Sequence, residues 1–186
     1  GFEFKVEFDL TKADDGRVTH LNYLESDLWT ESDVPGAPNL PYRTLRIAVP
    51  PEGDINISYE IMQSERDYLT NPVAPVATII PDEKTSQFIY QINQGIYENY
   101  SREVVSRGDA VDYNGYRLIP VYIYPVRYDH GLKLLEVCLE ININIEILGN
   151  VNWQGEIDNI GRWLDKDYIV NYNYARLSRR QQQKIN

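Results

Sequence analysis

Leu135-Glu-Val-Cys-Leu-Glu-Ile-Asn-Ile-Asn-Ile-Glu-Ile147 is the stretch whose reading decides the fold. Leu135, Val137, Leu139, Ile141, Ile143, Ile145 and Ile147 are apolar, and between them stand Glu136, Cys138, Glu140, Asn142, Asn144 and Glu146. Side chains of an extended chain point alternately to opposite faces, whereas a helix would spread the same set around its circumference. The spacing therefore predicts a strand over 133–147 with one buried and one polar face. Phe2, Phe4, Val6 and Phe8 alternate in the same way with Glu3, Lys5, Glu7 and Asp9. Ile55, Ile57, Tyr59 and Ile61 alternate with Asn56, Ser58 and Glu60, so strands over 2–9 and 54–62 join the first.

Working outward from these strands, turn chemistry sets the expected connections. Ala13-Asp14-Asp15-Gly16 would return strand 2–9 as a strand over 17–24, and Asn114-Gly115 would introduce one over 116–125. That strand has Tyr116, Leu118, Tyr122 and Tyr124 on one side and Ile119, Val121 and Ile123 on the other, which predicts an interior strand covered on two sides. Asp129-His130-Gly131 would fold it onto 133–147 as an antiparallel hairpin. Helix candidates are few. Residues 86–97 fit neither period cleanly, 97–106 allows a short helix, and 158–170 has a capping Asp158 with Ile160, Trp163 and Leu164 on one stripe.

Two segments resist both periods. Residues 33–41 hold three prolines and read as a rigid connector, and 71–81 hold three more and read as an extended segment on the surface or along a sheet edge. With so little helix, the strands must bury their apolar faces against another sheet. The expected fold is all-β, an antiparallel two-sheet β-sandwich with one or two short helices. Leu135 to Ile145 should line its inner face.

Composition limits the function classes. With 18 basic and 28 acidic residues among 186, the net charge of −10 disfavours a phosphate-backbone partner, so no nucleic acid is expected. No apolar run is long enough for a membrane helix, so no membrane span is expected either. The chain starts at Gly1 without a methionine, and an export segment upstream is expected.

Catalytic constellations are thin. Cys138 with His20 or His130 is the only conceivable nucleophile and base, yet Cys138 lies inside a regular strand, away from the loops where catalytic groups gather. Asp14-Asp15 and Asp112-Tyr-Asn114-Gly115 offer oxygen ligands but lack the spacing and terminal Glu of a calcium loop, and turn chemistry accounts for both. Catalytic residues, metal ligands and cofactor-binding residues are therefore expected to be none, with calcium at Asp14-Asp15 or Asp112-Asn114 kept as the minor alternative. Trp29, Trp153 and Trp163, with the 15 tyrosines, keep open an adhesion or carbohydrate-binding module in which exposed rings stack on sugars.

Gly36-Ala-Pro38-Asn-Leu40-Pro41, then Ile47-Ala-Val-Pro50-Pro-Glu-Gly53, the strand after it and the Pro-rich 72–81 come in a distinctive order. Tyr97, Arg117, Val121-Tyr-Ile-Tyr-Pro125-Val126-Arg-Tyr128, Gly131-Leu132, the strand 135–147, Trp163-Leu164 and Val170-Asn171-Tyr172 continue it. The whole resembles the N-terminal prodomain of the gingipain-type, or C25, cysteine peptidases. The resemblance implies a secreted, periplasmic or surface-bound bacterial β-sandwich that helps a following peptidase domain to fold, keeps it latent and is removed by cleavage after basic residues. The Cys-His chemistry of that family lies in the peptidase domain, beyond these residues, so this chain is expected to be non-catalytic.

Two sets of arginines follow from that resemblance. The tail 174–186 carries four basic and no acidic residues, while the 173 before it carry 14 basic and 28 acidic. Residues 1–173 are thus expected to form the sandwich, with 174–186 as a processing junction at Arg176, Arg179 and Arg180. A basic side chain from a loop is also expected to occupy the peptidase's specificity pocket. Residues 97–115 form the longest non-strand insertion, with Arg107 the first candidate and Arg102 the second.

Overall fold

The computed structural model describes residues 1–13, 21, 23–25, 32–81, 85–113, 116–149 and 169–171. In chain order the elements are β1 (Phe2–Glu7), β2 (Thr11–Ala13), β3 (Tyr23–Glu25), β4 (Arg43–Val49), β5 (Asp54–Tyr68), β6 (Thr78–Pro81) and β7 (Ser86–Ile89), then α1 (Gln94–Glu98). There follow β8 (Val105–Arg107), β9 (Val111–Tyr113), β10 (Tyr116–Ile123), β11 (Val126–Asp129) and β12 (Leu134–Leu148).

The alternating run that begins at Leu135 is β12, and it organises one sheet. β5 lies antiparallel along almost all of it, while its other edge is shared between β1 and β11. The second sheet centres on β10, with β4 on one side and β8 and β9 end to end on the other. All of these pairings are antiparallel. Val6, Ile55, Cys138, Ile141, Ile143 and Ile145 of the first sheet meet Leu45, Ile47, Val49, Val105, Ile119, Val121 and Ile123 of the second in one buried cluster. Each fully buried aliphatic side chain there contributes about 1.5–3 kcal/mol of transfer free energy. The all-β, two-sheet architecture is as the alternation predicts.

The inner face, however, is not one continuous row. The β5–β12 register shifts between Cys138 and Glu140 and again between Glu140 and Ile141, an irregularity that breaks the strict alternation. Ile141, Ile143 and Ile145 fill the inter-sheet core with Cys138, whereas Leu135 and Val137 join a second cluster with Phe8, Leu24, Leu40, Leu69, Val73 and Val126. Leu139 is only partly buried against that second cluster. Sequence alternation cannot register an inserted residue, so it reads two faces as one.

Other connections differ from expectation. β1 pairs with β12 rather than with the chain that follows it, and the short pair β2–β3 stands apart from it. The strand expected over 116–125 and the hairpin onto β12 belong to different sheets: β10 ends at Ile123, the chain passes Tyr124-Pro125, and β11 makes the hairpin with β12. Pro125 prevents continuation of the first ladder, while its carbonyl accepts the Cys138 N–H at 2.7 Å. β10 is covered on two sides as predicted, since Tyr116 and Leu118 pack with Ala48 and Ile169 in a third cluster. Pro120 sits within β10 opposite Gly108, which donates to its carbonyl at 2.8 Å. The return bond is the one a proline ring cannot make, and here β8 has ended and β9 not begun. A Cβ at Gly108 would lie 2.7 Å from the Tyr122 ring, so glycine is required.

The two proline-rich segments pair with each other. Gly36 N–H donates to Val76 O, Val76 N–H to Ala37 O and Asn39 N–H to Ala74 O, with a bridge between Pro38 and Pro75. Val73 and Ala74 are buried, which corrects the expected surface lay of this stretch. Gly36 has φ +80°, and a Cβ there would collide with Asn93. Helical structure is limited to α1 among the described residues; Asn93 caps it by accepting the Ile96 N–H, and the buried Tyr97 hydroxyl donates to Val73 O. Residues 86–89 are a strand, as are 105–107, where 97–106 had suggested a helix. The helix expected over 158–170 lies outside the described residues up to 168.

Candidate functional site

β6 and β7 form a two-stranded ribbon, pairing Ile79 with Phe88 and Ile80 with Gln87. All eight strand residues are exposed, and none belongs to a core cluster. Ile79 is 58% and Phe88 59% exposed, and on neighbouring positions Ile80 is 44% and Ile89 40% exposed. Because adjacent strand residues face opposite ways, both faces of the ribbon are apolar. An isolated two-stranded ribbon is marginal in water, and one apolar on both faces needs a partner surface. This element was missed in the sequence because 71–81 was read through its prolines. The available signal was two apolar pairs, Ile79-Ile80 and Phe88-Ile89, in strands that no burying face could serve at once.

The arginines singled out above have defined places. Arg107 ends β8, opposite Val121, and its guanidinium pairs with Asp54 at 2.5 Å. Chiefly that hydrogen bond, with a second from the Ile55 N–H, holds the Asp54 carboxyl below its ordinary range. Arg102 lies between α1 and β8 with its guanidinium 5.3 Å over the Tyr100 ring. A hydrogen bond to the Tyr100 hydroxyl raises its pKa. The two arginines are therefore not on one free loop. Arg176, Arg179 and Arg180 lie outside the described residues, as do His20, Asp14, Asp15, Asn114 and the three tryptophans.

Arg102 and Tyr100 line a cavity of about 570 Å³ with Arg66, Arg127, Glu136, Glu98, Tyr124 and His130. Glu136 holds Arg66 at 3.0 Å and faces Arg127 at 3.6 Å. His130 packs edge-on against Tyr97 at 5.1 Å, with its Nε2 at 4.0 Å from Glu98. Cys138 is fully buried, and burial pushes its thiol pKa up, the direction opposite to that of an activated nucleophile. Four strand residues beyond the Asp129–Leu134 pair put it roughly 13 Å from the turn that carries His130, so the two are not brought together. Among the described residues no cluster of three or more His, Cys, Asp or Glu is arranged to hold a metal ion, and no helix is long and apolar enough to cross a membrane.

Comparison with known proteins agrees with this geometry. The family model described as Propeptide_C25 matches residues 5–176. The fold is similar to that in the structure "Complex of Porphyromonas gingivalis RgpB pro- and mature domains", with TM-score 0.65 and 18% identity, covering 91% of this chain and 92% of that one. It is also similar to that in "Structural insight into zymogenic latency of gingipain K from Porphyromonas gingivalis", with TM-score 0.59 and 19% identity, covering 77% of this chain and 86% of that one. No curated protein matches the sequence. This non-catalytic sandwich, whose apolar ribbon no described residue covers, is matched over nearly its whole length by that family model and belongs to the propeptides of the C25 cysteine peptidases.

Proposed function

We propose that this domain binds the peptidase domain of its own precursor and holds it latent, in a secreted, periplasmic or surface-bound bacterial enzyme. The observation that carries the reading is the β6–β7 ribbon, which presents Ile79, Ile80, Phe88 and Ile89 to solvent on both faces. A strand ribbon of that kind suits an extended protease cleft, where main-chain bonds supply affinity and side-chain pockets supply selectivity. Lys84 is the one basic residue in the sequence between Thr78 and Ile89.

The arginines stay in the proposal with different prospects. Arg107 would have to leave Asp54 to reach a partner, while Arg102 is already exposed on a cavity wall. Residues 174–186 are the proposed processing junction at Arg176, Arg179 and Arg180, following a sandwich that runs to 173. The burial of Ile169 and Asn171 on the second sheet supports a boundary soon after them.

The test is inhibition in trans. The purified chain is titrated against its mature peptidase with a small chromogenic substrate, using Lys84→Ala, Phe88→Ser, Arg102→Ala and Arg107→Ala beside the wild type. Phe88→Ser and Lys84→Ala should each raise the inhibition constant by tenfold or more. A wild-type chain that neither binds nor inhibits would reject latency and favour the adhesion-module reading.

A further inference from the structure

β5 leaves the long edge of the first sheet open. Among the described residues β12 is its only strand partner, so on its far side every second residue turns a backbone N–H and C=O away from the sheet. Elsewhere edges are closed or guarded. Val170 and Asn171 bond along β4, β1 carries Glu3, Lys5 and Glu7 within six residues, and β8 and β9 have three residues each. β5 has fifteen residues, and its stretch from Ile55 to Ser64 holds a single charge, Glu60, with no lysine or proline. Charges and prolines are the usual means of blunting an edge against another strand, and here they are nearly missing.

The inter-sheet core also runs out at this edge. Ile57, Tyr59 and Ile61 stand opposite Ile145, Ile143 and Ile141, three fully buried side chains of β12. Yet Ile57 and Ile61 are only partly buried against the core, and Tyr59 between them is 42% exposed. Opposite residues share a face, so a further strand beside β5 would cover this row. The row itself indicates which strand fits, because Ile57-Ser-Tyr59-Glu-Ile61 has the same apolar and polar pattern in both directions. Laid antiparallel on itself about Tyr59, Ile57 meets Ile61 and Tyr59 meets Tyr59. On the other face Glu60 meets Ser58 and Met62 meets Asn56, with no like charges directly opposed. Centring on Glu60 would oppose two carboxylates, and centring on Ile61 would set Tyr59 against Gln63 and Ile57 against Glu65. Centring on Ser58 would set Ile61 against Ile55, which is already buried in its own chain.

We propose that β5 pairs antiparallel with β5 of a second copy of this chain, with Tyr59 on the two-fold axis, so that the first sheets of two copies join into one continuous sheet. The contact is isologous, each copy supplying the same strand. It does not depend on the latency reading, and it is separate from the β6–β7 ribbon. Each copy carries a net charge of −10, so repulsion opposes the pairing and salt should strengthen it, the reverse of what an ion-paired interface shows.

Sedimentation equilibrium of the full chain over a concentration series, at low and high salt, reads the association directly. The wild type should approach twice the 21.7 kDa chain mass, with a dimer Kd that falls as salt rises. Tyr59→Lys and Tyr59→Glu each place like charges on the axis and should raise that Kd by roughly a hundredfold. An equimolar mixture of the two variants should recover a dimer, because lysine then faces glutamate, which a strand merely weakened by substitution would not do. Thermal midpoints of both variants should stay near that of the wild type, because Tyr59 is exposed. Phe88→Ser, on the ribbon, should keep the dimer. A wild type that stays monomeric at every concentration would overturn the inference. So would a dimer that persists in Tyr59→Lys and Tyr59→Glu, a mixture of the two that stays monomeric, or a dimer that dissolves in Phe88→Ser.

Discussion

Asn171 offers the sharpest test of how this sandwich is closed. β4 is an edge strand, and its outer side is covered by the short segment at 169–171. Val170 N–H donates to Arg46 O at 3.0 Å; the Asn171 amide then imitates a strand, accepting the Ala48 N–H and donating to the Ala48 carbonyl, both at 2.8 Å. Asn171 is 7% and Ala48 0% exposed, so water cannot take over either bond. Asn171→Ala leaves one donor and one acceptor buried without a partner, each at about 1–3 kcal/mol, and a net loss of ~2–4 kcal/mol is expected. For a chain of this size that lowers the thermal midpoint by roughly 4–16 °C. Asn171→Asp adds a sign test. Its carboxylate still accepts from Ala48 N–H but repels Ala48 O, so the folded state favours the protonated acid and raises the pKa above its unfolded value of about 3.9. Stability of Asn171→Asp should consequently rise toward wild type as pH falls from neutral through that raised value, and be lost again on return. Chemical denaturation at pH 7 and pH 4 measures both effects. A loss below about 0.5 kcal/mol for Asn171→Ala, or an Asp deficit independent of pH, would refute the amide clasp.

Three further outcomes follow from the packing and the ion pairs. Ile141→Ala should cost ~2–5 kcal/mol in denaturant unfolding, since the side chain is fully buried between the sheets; a negligible loss would mean that the inter-sheet core is wrongly assigned. Arg107→Ala should lower stability at neutral pH by no more than ~1 kcal/mol, because both partners of its ion pair are substantially exposed. Asp54 titrates below its ordinary value, so the pair's contribution is present above about pH 4 and is lost as pH falls through the depressed folded value, where wild type and variant should converge. Cys138→Ala should leave binding to the peptidase unchanged, and the isolated chain should hydrolyse no peptide substrate; turnover abolished by this substitution would contradict the family assignment.

Much of the site was hard to read for a physical reason. Arg102 and Arg107 are five residues apart, yet one rests on a tyrosine at a cavity and the other pairs with Asp54, more than fifty residues earlier in the chain. Only the β10–β8 pairing and the approach of β5 make that second contact. The ribbon was obscured by its prolines, because propensity reports where a chain cannot continue a ladder and is silent on what a short pair of strands will face. Asn171 carried no local signal at all, since its partner is the backbone of Ala48.

The sequence by itself predicted the all-β class and strands over 2–9, 54–62, 116–125 and 133–147, which the structure has as Phe2–Glu7, Asp54–Tyr68, Tyr116–Ile123 and Leu134–Leu148. Each depends on period, charge count or residue type, which are properties of neighbours along the chain. Tertiary structure alone decided which strands pair, that Pro125 separates β10 from β11 into different sheets, and that a bulge near Leu139 divides the apolar run between two clusters. It also decided that Ile79, Ile80, Phe88 and Ile89 stay in water, because burial depends on whether another element arrives to cover a face, and for this ribbon no described part of the chain does.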